Sequence, residues 1–234
     1  MTHRFYSPQL PETGSVCLAD SEAHHMIHVL RTQVGDSAEL FDGRGLVATC
    51  RVVQLRKRDV TLDVLETRRT PTASRELVLA TAVPKGDRFD WLIEKATELG
   101  VTRIIPITTT RSVVDPRESK LDKLRQTVIA ACKQSCRNHL MEIAAVTPWS
   151  KFIEVTEPGS HLFVAHPQGG SVEELLRKCA SDTNPIIFAI GPEGGFSEEE
   201  VALALSRGAG TIHLGGQILR IETAALALAA RFLL

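Results

Sequence analysis

Apolar and polar residues alternate along the first third of the chain, while apolar residues recur at three- and four-residue spacing in several later segments. The first pattern covers residues 1–69. VGDSAELFDG carries a turn at Gly35-Asp36, an alternating run and a second turn at Asp42-Gly43. LVATCRVVQL and DVTLDVLET follow as two strand-like runs separated by the charged turn Arg56 to Asp59. Short strands joined by tight turns predict a small β-barrel. One helix, SEAHHMIHVLR, interrupts it, with Ser21 as the expected N-cap. Thr67 to Ser74 is polar, contains Pro71 and reads as a linker, so the expected division is a barrel over 1–70 and a second domain over 72–234.

Beyond the linker, strands and helices alternate. ELVLATAVP, VTRIIPITTT, EIAAVTP, HLFVAHP, NPIIFAIGP and TIHLGG are short apolar runs that end in turn residues. Between them, Phe89, Leu92, Ile93, Ala96 and Leu99 share a helical face that Gly100 stops, and Leu121, Leu124, Val128 and Ala131 form a second stripe. Ser171 with Glu174 and Ser197 with Glu200 fit the capping-box spacing. This alternation predicts an α/β domain with a parallel sheet.

Charge refines the picture only locally. Lys+Arg against Asp+Glu is 9 and 9 over residues 1–71, 12 and 9 over 72–145, and 6 and 10 over 146–234, against a net charge of −1. A polyanion would be steered toward the middle segment and away from the C-terminal third. No apolar run is long enough to span a membrane, and MTHRFYSPQLPETG has no apolar core of a signal peptide. Five scattered cysteines, Cys17, Cys50, Cys132, Cys136 and Cys179, suggest reduced thiols, so a cytoplasmic protein is expected. His24, His25 and His28 lack the further convergent ligands of a closed metal site, so no metal is expected, and Cys132 and Cys136 read as core residues.

The loops past three strand ends carry the candidate chemistry, because ligands of open α/β sheets sit beyond the carboxyl ends of strands. GPEGG, Gly191 to Gly195, is either a tight turn or a close approach of backbone to a ligand. It lacks the glycine spacing of a phosphate loop, and Glu198, Glu199 and Glu200 would repel a phosphate at the following helix start. A phosphate-free nucleoside with a cationic centre, such as S-adenosylmethionine, fits better. In LGGQILRIETAALALAARFLL, Arg220 and Glu222 are the only charges between Leu214 and Arg231. They enter an apolar helix that must be covered by the domain or another subunit, and Arg220 either pairs with Glu222 or Glu193 or acts directly. Arg111, just past a strand end in TTTRSVV, either meets a substrate or is a solvated loop residue.

Together, KGDRFDWLIEKATELGV (85–101), the run from Pro106 to Val114, AACKQSCR (130–137), IGPEGGFSEEE (190–200) and LGGQILRIETAALAL (214–228) resemble the small-subunit ribosomal RNA uridine-N3 methyltransferases (RsmE type) of the knotted SPOUT superfamily. The N-terminal RFY and HHMIHVLR, with GD and FDGRG, resemble that family's PUA-like RNA-binding barrel. The resemblance implies a homodimer with a trefoil-knotted C-terminal domain that binds S-adenosylmethionine and methylates 16S ribosomal RNA, free or in the small ribosomal subunit. By position, His166, Ile190, Gly191, Gly194, Gly195, Leu214, Gly215, Ile218 and Leu219 would line the cofactor pocket. Ile221 stands where the family usually has threonine, which removes a hydroxyl beside the reaction centre, and Met141 stands where a proline is common, at a helix exit.

Uridine N3 carries a proton, so its methylation needs a base or donors that stabilise the uracilate. Arg220 and Arg111 are the candidate donors and Glu222 the nearest candidate base. Arg4, Arg31, Lys85, Arg88 and Arg137 are candidates for phosphate contacts, which position RNA without specifying sequence. Two rivals remain: a knotted methyltransferase acting on transfer RNA or ribose 2′-hydroxyls, and an RNA-binding assembly factor without catalysis.

Overall fold

A computed structural model describes residues 3–114, 119–179 and 182–234, of which 119–122, 176 and 178 are described by backbone alone. The chain divides into two compact units, Met1–Thr72 with Cys132–Leu140, and Ala73–Ala131 with Met141–Leu234.

The first unit is a curled five-stranded sheet: β1 (His3–Tyr6), β2 (Ser15–Ala19), β3 (Ser37–Phe41), β4 (Leu46–Leu55) and β5 (Asp59–Arg69), in the order β1-β3-β4-β5-β2. Only the β1–β3 pair is parallel. Alternation puts Leu40, Cys50, Val52, Val60 and Leu62 inside, where they pack with Phe5 and Met26. Burial pushes the Cys50 thiol up to about 11, with Asp63 adding to the effect, so it stays a neutral core group. β1 and β2 were not among the expected strands, although β2 alternates exposed and buried residues along its whole length. The helix α1 (Asp20–His24) starts one residue before Ser21, at an Ala19 N-cap without a side-chain bond, because Asp20 turns the chain with φ 51° directly off β2. It runs on as a π-helical turn, His25–Val29.

Residues 132–140 complete this sheet at long sequence range. Gly45 N–H donates to the Asn138 carbonyl at 3.1 Å, Leu140 N–H to Gly43 O at 2.9 Å, and Asn138 Nδ2 to Thr70 Oγ1 at 2.7 Å. Arg4 closes the same junction. Its guanidinium donates to the Cys132 and Arg137 carbonyls at 3.1 and 3.3 Å and to Asn138 Oδ1, lies 2.8 Å from Glu39, and covers the Phe41 ring. A buried arginine held by these contacts is a structural clasp, a role set against the phosphate contact expected of Arg4. Arg137 is half-buried, and desolvation lowers its pKa, so of these three arginines only Arg31 is presented freely to solvent. Cys132 is buried, but Cys136 is exposed at φ 58°, where the chain leaves the helix, so only the first of the two is a core residue.

The second unit is a parallel sheet of β6 (Leu77–Ala82), β7 (Arg103–Thr108), β8 (Glu142–Ile143), β9 (Thr147–Pro148), β10 (His161–Ser171), β11 (Ile186–Ile190) and β12 (Gly210–His213). Its order is β12-β10-β11-β6-β7-β8, with β9 also on β7. β6 and β11 are buried at every position, as central strands covered on both faces must be. The helices are α2 (Arg88–Leu99), α3 (Ser119–Ser135), α4 (Trp149–Val155), α5 (Val172–Cys179), α6 (Glu198–Ser206) and α7 (Ile221–Leu233). Phe89, Leu92, Ile93 and Ala96 bury the expected face of α2, and Leu124, Val128 and Ala131 that of α3; the side chain of Leu121 lies outside the described residues. β12 sits at the sheet edge, yet α7 returns to the middle and packs on α2, β6 and β11. That cover accounts for its apolar composition. No helix among the described residues is long and apolar enough to cross a membrane.

Two details shape this unit. In β10 the pairing with β12 slips between Ala165 and Gly170, so residues 166–169 bulge from the ladder. Gly169 lies so close to the Ile212 backbone that any Cβ would overlap it. At the opposite end of the sheet, Asp182 accepts from Arg75 at 2.8 Å and meets His161 Nε2 at 2.8 Å. His161, then the Asn184 N–H, hold the Asp182 carboxyl below its ordinary value. A depressed folded value stabilises above the unfolded aspartate pKa of about 3.9 and loses that contribution as pH falls through the lower folded value. Urea titrations between about pH 5 and 2 should therefore show Asp182→Asn losing stability less steeply with acidification than the wild type. Parallel slopes would remove the linkage.

Candidate functional site

β10, β11 and β12 run in one direction, so their carboxyl ends and following loops gather at one edge. There a cleft of about 440 Å³ opens, within the size range of small-ligand sites. The bulge after Ala165 supplies His166 and Pro167, the loop after β11 supplies Gly191 to Gly195, and the loop from β12 into α7 supplies Leu214 to Leu219. All nine positions picked from the sequence line it: His166, Ile190, Gly191, Gly194, Gly195, Leu214, Gly215, Ile218 and Leu219. His213, Pro192, Gln217 and Ala224 also line it and were not singled out; Ile221, expected beside the reaction centre, and Glu193 line it as well. His213 was detectable in principle, since it is the last residue of a strand that ends at this edge.

The loops are braced from behind. Phe196 is buried, packs on Trp149 with ring centroids 4.5 Å apart, and lies against Gly191, where a Cβ would come within 3.0 Å of the ring. Gly195 N–H donates to Pro192 O at 2.8 Å, and Gly195 itself has φ 69°. Ser197 caps α6 in the capping box expected with Glu200. Each histidine of the cleft accepts a backbone N–H at Nδ1: His166 from Gln168 at 3.2 Å, and His213 from Gly215 at 3.1 Å. Neutral rings held this way carry their proton on Nε2.

The charge pattern is selective. Of the titratable side chains, the lining holds His166, His213 and Glu193, and no lysine or arginine. Glu198 and Glu199 are exposed at the start of α6, and the Ser197 hydroxyl, then the residue's own N–H, hold Glu199 below its ordinary value. A phosphate would meet carboxylates here, whereas a cation would be favoured. Backbone close to the cleft, an apolar floor and acidic neighbours fit a cationic nucleoside. Among the described residues, no group of three or more His, Cys, Asp or Glu could hold a metal ion.

The catalytic candidates are only partly brought together. Arg111 lies across the glycine loop, with Nη1 donating to Gly194 O at 2.6 Å and to Phe196 O at 3.4 Å. Arg220 is exposed at the N-cap of α7, directly after the lining residue Leu219, and its side chain pairs with no described residue. Neither Glu222 nor Glu193 therefore neutralises it. Glu222 is 6% exposed, is absent from the cleft lining, and has Arg88 as its nearest cation at 3.9 Å. Glu222 thus lies beside Arg88, with Oε2 buried and without a hydrogen-bond partner among the described residues. Lys85 and Arg88 are exposed ahead of and at the start of α2.

Sheet order, cleft and curled N-terminal sheet define an α/β protein with a SPOUT-like parallel-sheet domain and a PUA-like domain. The family model of the RNA methyltransferase domain matches residues 71–233, and that of the RNA methyltransferase PUA domain matches residues 18–65. The chain is 31% identical to the ribosomal RNA small subunit methyltransferase E of Bacillus subtilis, covering 93% of this chain and 89% of the relative. To the protein of the same name from Synechocystis it is 32% identical, over 93% and 72%. The crystal structure of the Neisseria gonorrhoeae ribosomal RNA small subunit methyltransferase E bound to S-adenosyl methionine superposes with a TM-score of 0.89 at 29% identity, over 99% and 96% of the two chains. The chain belongs to the ribosomal RNA small subunit methyltransferase E family.

Phe196→Ala should cost about 3–5 kcal/mol, the range for a buried aromatic truncated to alanine. Urea denaturation followed by tryptophan fluorescence reads it, because Trp149 packs on that ring. A loss below about 1 kcal/mol would mean that the glycine loop does not depend on this brace.

Proposed function

We propose that this protein transfers the methyl group of S-adenosylmethionine to N3 of a uridine in 16S ribosomal RNA. The observation that carries the cofactor half is the cleft itself: glycine backbone, apolar walls and Glu193, without a cationic side chain in its lining. Residues 190–195 and 214–219, with His166, would hold the nucleoside. Bound there, the sulfonium supplies an electrophilic methyl group. The donor named in the gonococcal relative is the same compound.

The chain's own residues handle the nucleophile. Uracil gives up its N3 proton to solvent water only if the charge that spreads onto its carbonyl oxygens is stabilised. Arg220, which directly follows the lining residue Leu219, and Arg111, bonded across the glycine loop, are the two guanidiniums that take this role in the proposed reading. Arg220 has no competing partner among the described residues, and the hydrogen bonds of Arg111 to described residues run through Nη1. Glu222 instead steadies Arg88. Arg31, Lys85 and Arg88 are the exposed candidates for phosphate contacts, and the target base must leave its stack so that N3 is reachable. Ile218 is 95% exposed at the cleft, an apolar side chain that a second subunit of a homodimer would cover. Light scattering tests the dimer, and a monomer at micromolar concentration would exclude it.

Calorimetry should find S-adenosylmethionine binding to the wild type and no competition by ATP. Arg220→Ala should lower methyl transfer by at least about 100-fold, the scale of losing one charge-stabilising donor, while cofactor binding and melting temperature stay near wild type. Near-normal turnover would take Arg220 out of the mechanism. Mass spectrometry of ribosomal RNA nucleosides from a deletion strain should show 3-methyluridine lost. Loss of a ribose-methylated nucleoside instead would favour the 2′-hydroxyl rival, and no cofactor binding would favour an assembly factor.

A further inference from the structure

The loops after β7 and β11 leave strands that are separated in the sheet by β6, yet two links join them. One is Arg111 on Gly194 and Phe196. The other is Glu200. Its Oε2 accepts the Ser197 N–H at 2.8 Å, as a capping box requires. Its Oε1 is turned to a residue ninety positions away, accepting the Thr110 N–H at 2.8 Å and the Thr110 hydroxyl at 3.1 Å. The backbone carbonyl of Glu200 also accepts Trp149 Nε1 at 3.0 Å, which fixes the base of the link on α4. A helix cap uses one carboxylate oxygen; the second is committed to the neighbour of Arg111.

We propose that Glu200 is a positioning residue that sets the Arg111 guanidinium at the cleft rim, so that the loop after β7 and the glycine loop after β11 act as one body. The inference rests on the methyltransferase reading and deepens it. A carboxylate that accepts three donors, two of them main-chain, is a stiff connector. Pinning the Thr110 N–H fixes the backbone from which Arg111 departs, leaving only the arginine side chain to be ordered. Gly194 leaves room for it, since a Cβ there would come within 3.3 Å of Arg111 Cδ. The result is a cation held over the glycine loop, with Nε and Nη2 making no hydrogen bond to the described residues and so open to an incoming uracil or phosphate oxygen. A mere cap would stabilise α6 without reference to Arg111.

The test is a double-mutant cycle of Glu200→Gln and Arg111→Ala in the full-length protein, with kcat, KM for each substrate and melting temperature. Glutamine keeps the size and one acceptor, which preserves the helix start. Glu200→Gln should lower kcat about tenfold with less than about a twofold change in KM for S-adenosylmethionine, and should cost no more than about twofold once Arg111 is alanine. An equal loss in both backgrounds, or an unchanged kcat, overturns the proposal and leaves Glu200 a cap. Amide hydrogen exchange provides a readout independent of activity. In Glu200→Gln the Thr110 amide should exchange at least about tenfold faster, while residues 221–233 keep their protection. Unchanged exchange at Thr110 overturns the link even if the arginine variant proves inactive. If the wild type transfers no methyl group, the activity reading fails, and exchange still decides whether the link exists.

Discussion

Parallel strands all end at the same edge of their sheet, and each delivers there a stretch of backbone whose N–H and C=O groups have run out of ladder partners. In this protein β10, β11 and β12 reach that edge side by side. Their loops must find local partners. Gly195 turns to Pro192, Gln168 to His166, and Gly215 to His213. The cleft is the space these short turns enclose. For that reason it is walled mainly by main chain and apolar side chains, with its charged groups on the rim.

The rim separates two electrostatic tasks. Glu193, Glu198 and Glu199 make the cofactor side hospitable to a cation and hostile to phosphate. Arg111 and Arg220, on loops from β7 and into α7, present positive charge to whatever approaches from outside. On the proposed reading, the carboxylates favour a sulfonium nucleoside and the two arginines a polyanionic RNA, side by side at one opening. A net charge near zero is compatible with RNA recognition when the charge is sorted in this way.

Much of this was legible in the chain. The unbroken apolar runs of β6 and β11, the stripes of α2 and α3, and the Ser197–Glu200 box each reflect a local rule, and the structure obeys them. The nine cleft positions came chiefly from a resemblance in two glycine-bearing segments, and they do converge. What escaped depends on long range. Nothing near Arg4 indicates that its guanidinium clasps residues 132–138, nothing near Glu222 indicates Arg88, and nothing near Glu200 indicates Thr110. Charged residues are ambiguous in sequence because a solvated side chain and a buried clasp look alike until their partners are known. Within the expected helix from Ser21, the π-helical turn at His25–Val29 was not legible, since its apolar spacing is that of an ordinary helix.

The N-terminal unit is not contiguous in the chain. Gly43, Gly45 and Thr70 are satisfied by Leu140 and Asn138, and the Arg4 clasp by the carbonyls of Cys132 and Arg137. During synthesis, residues 1–72 emerge without these partners and wait for about sixty more residues to be translated, at a pace of roughly 5–20 per second. By then β6, α2 and β7 are already outside the ribosome. A fragment cut at the linker would carry the strands of the first unit but not its final seam.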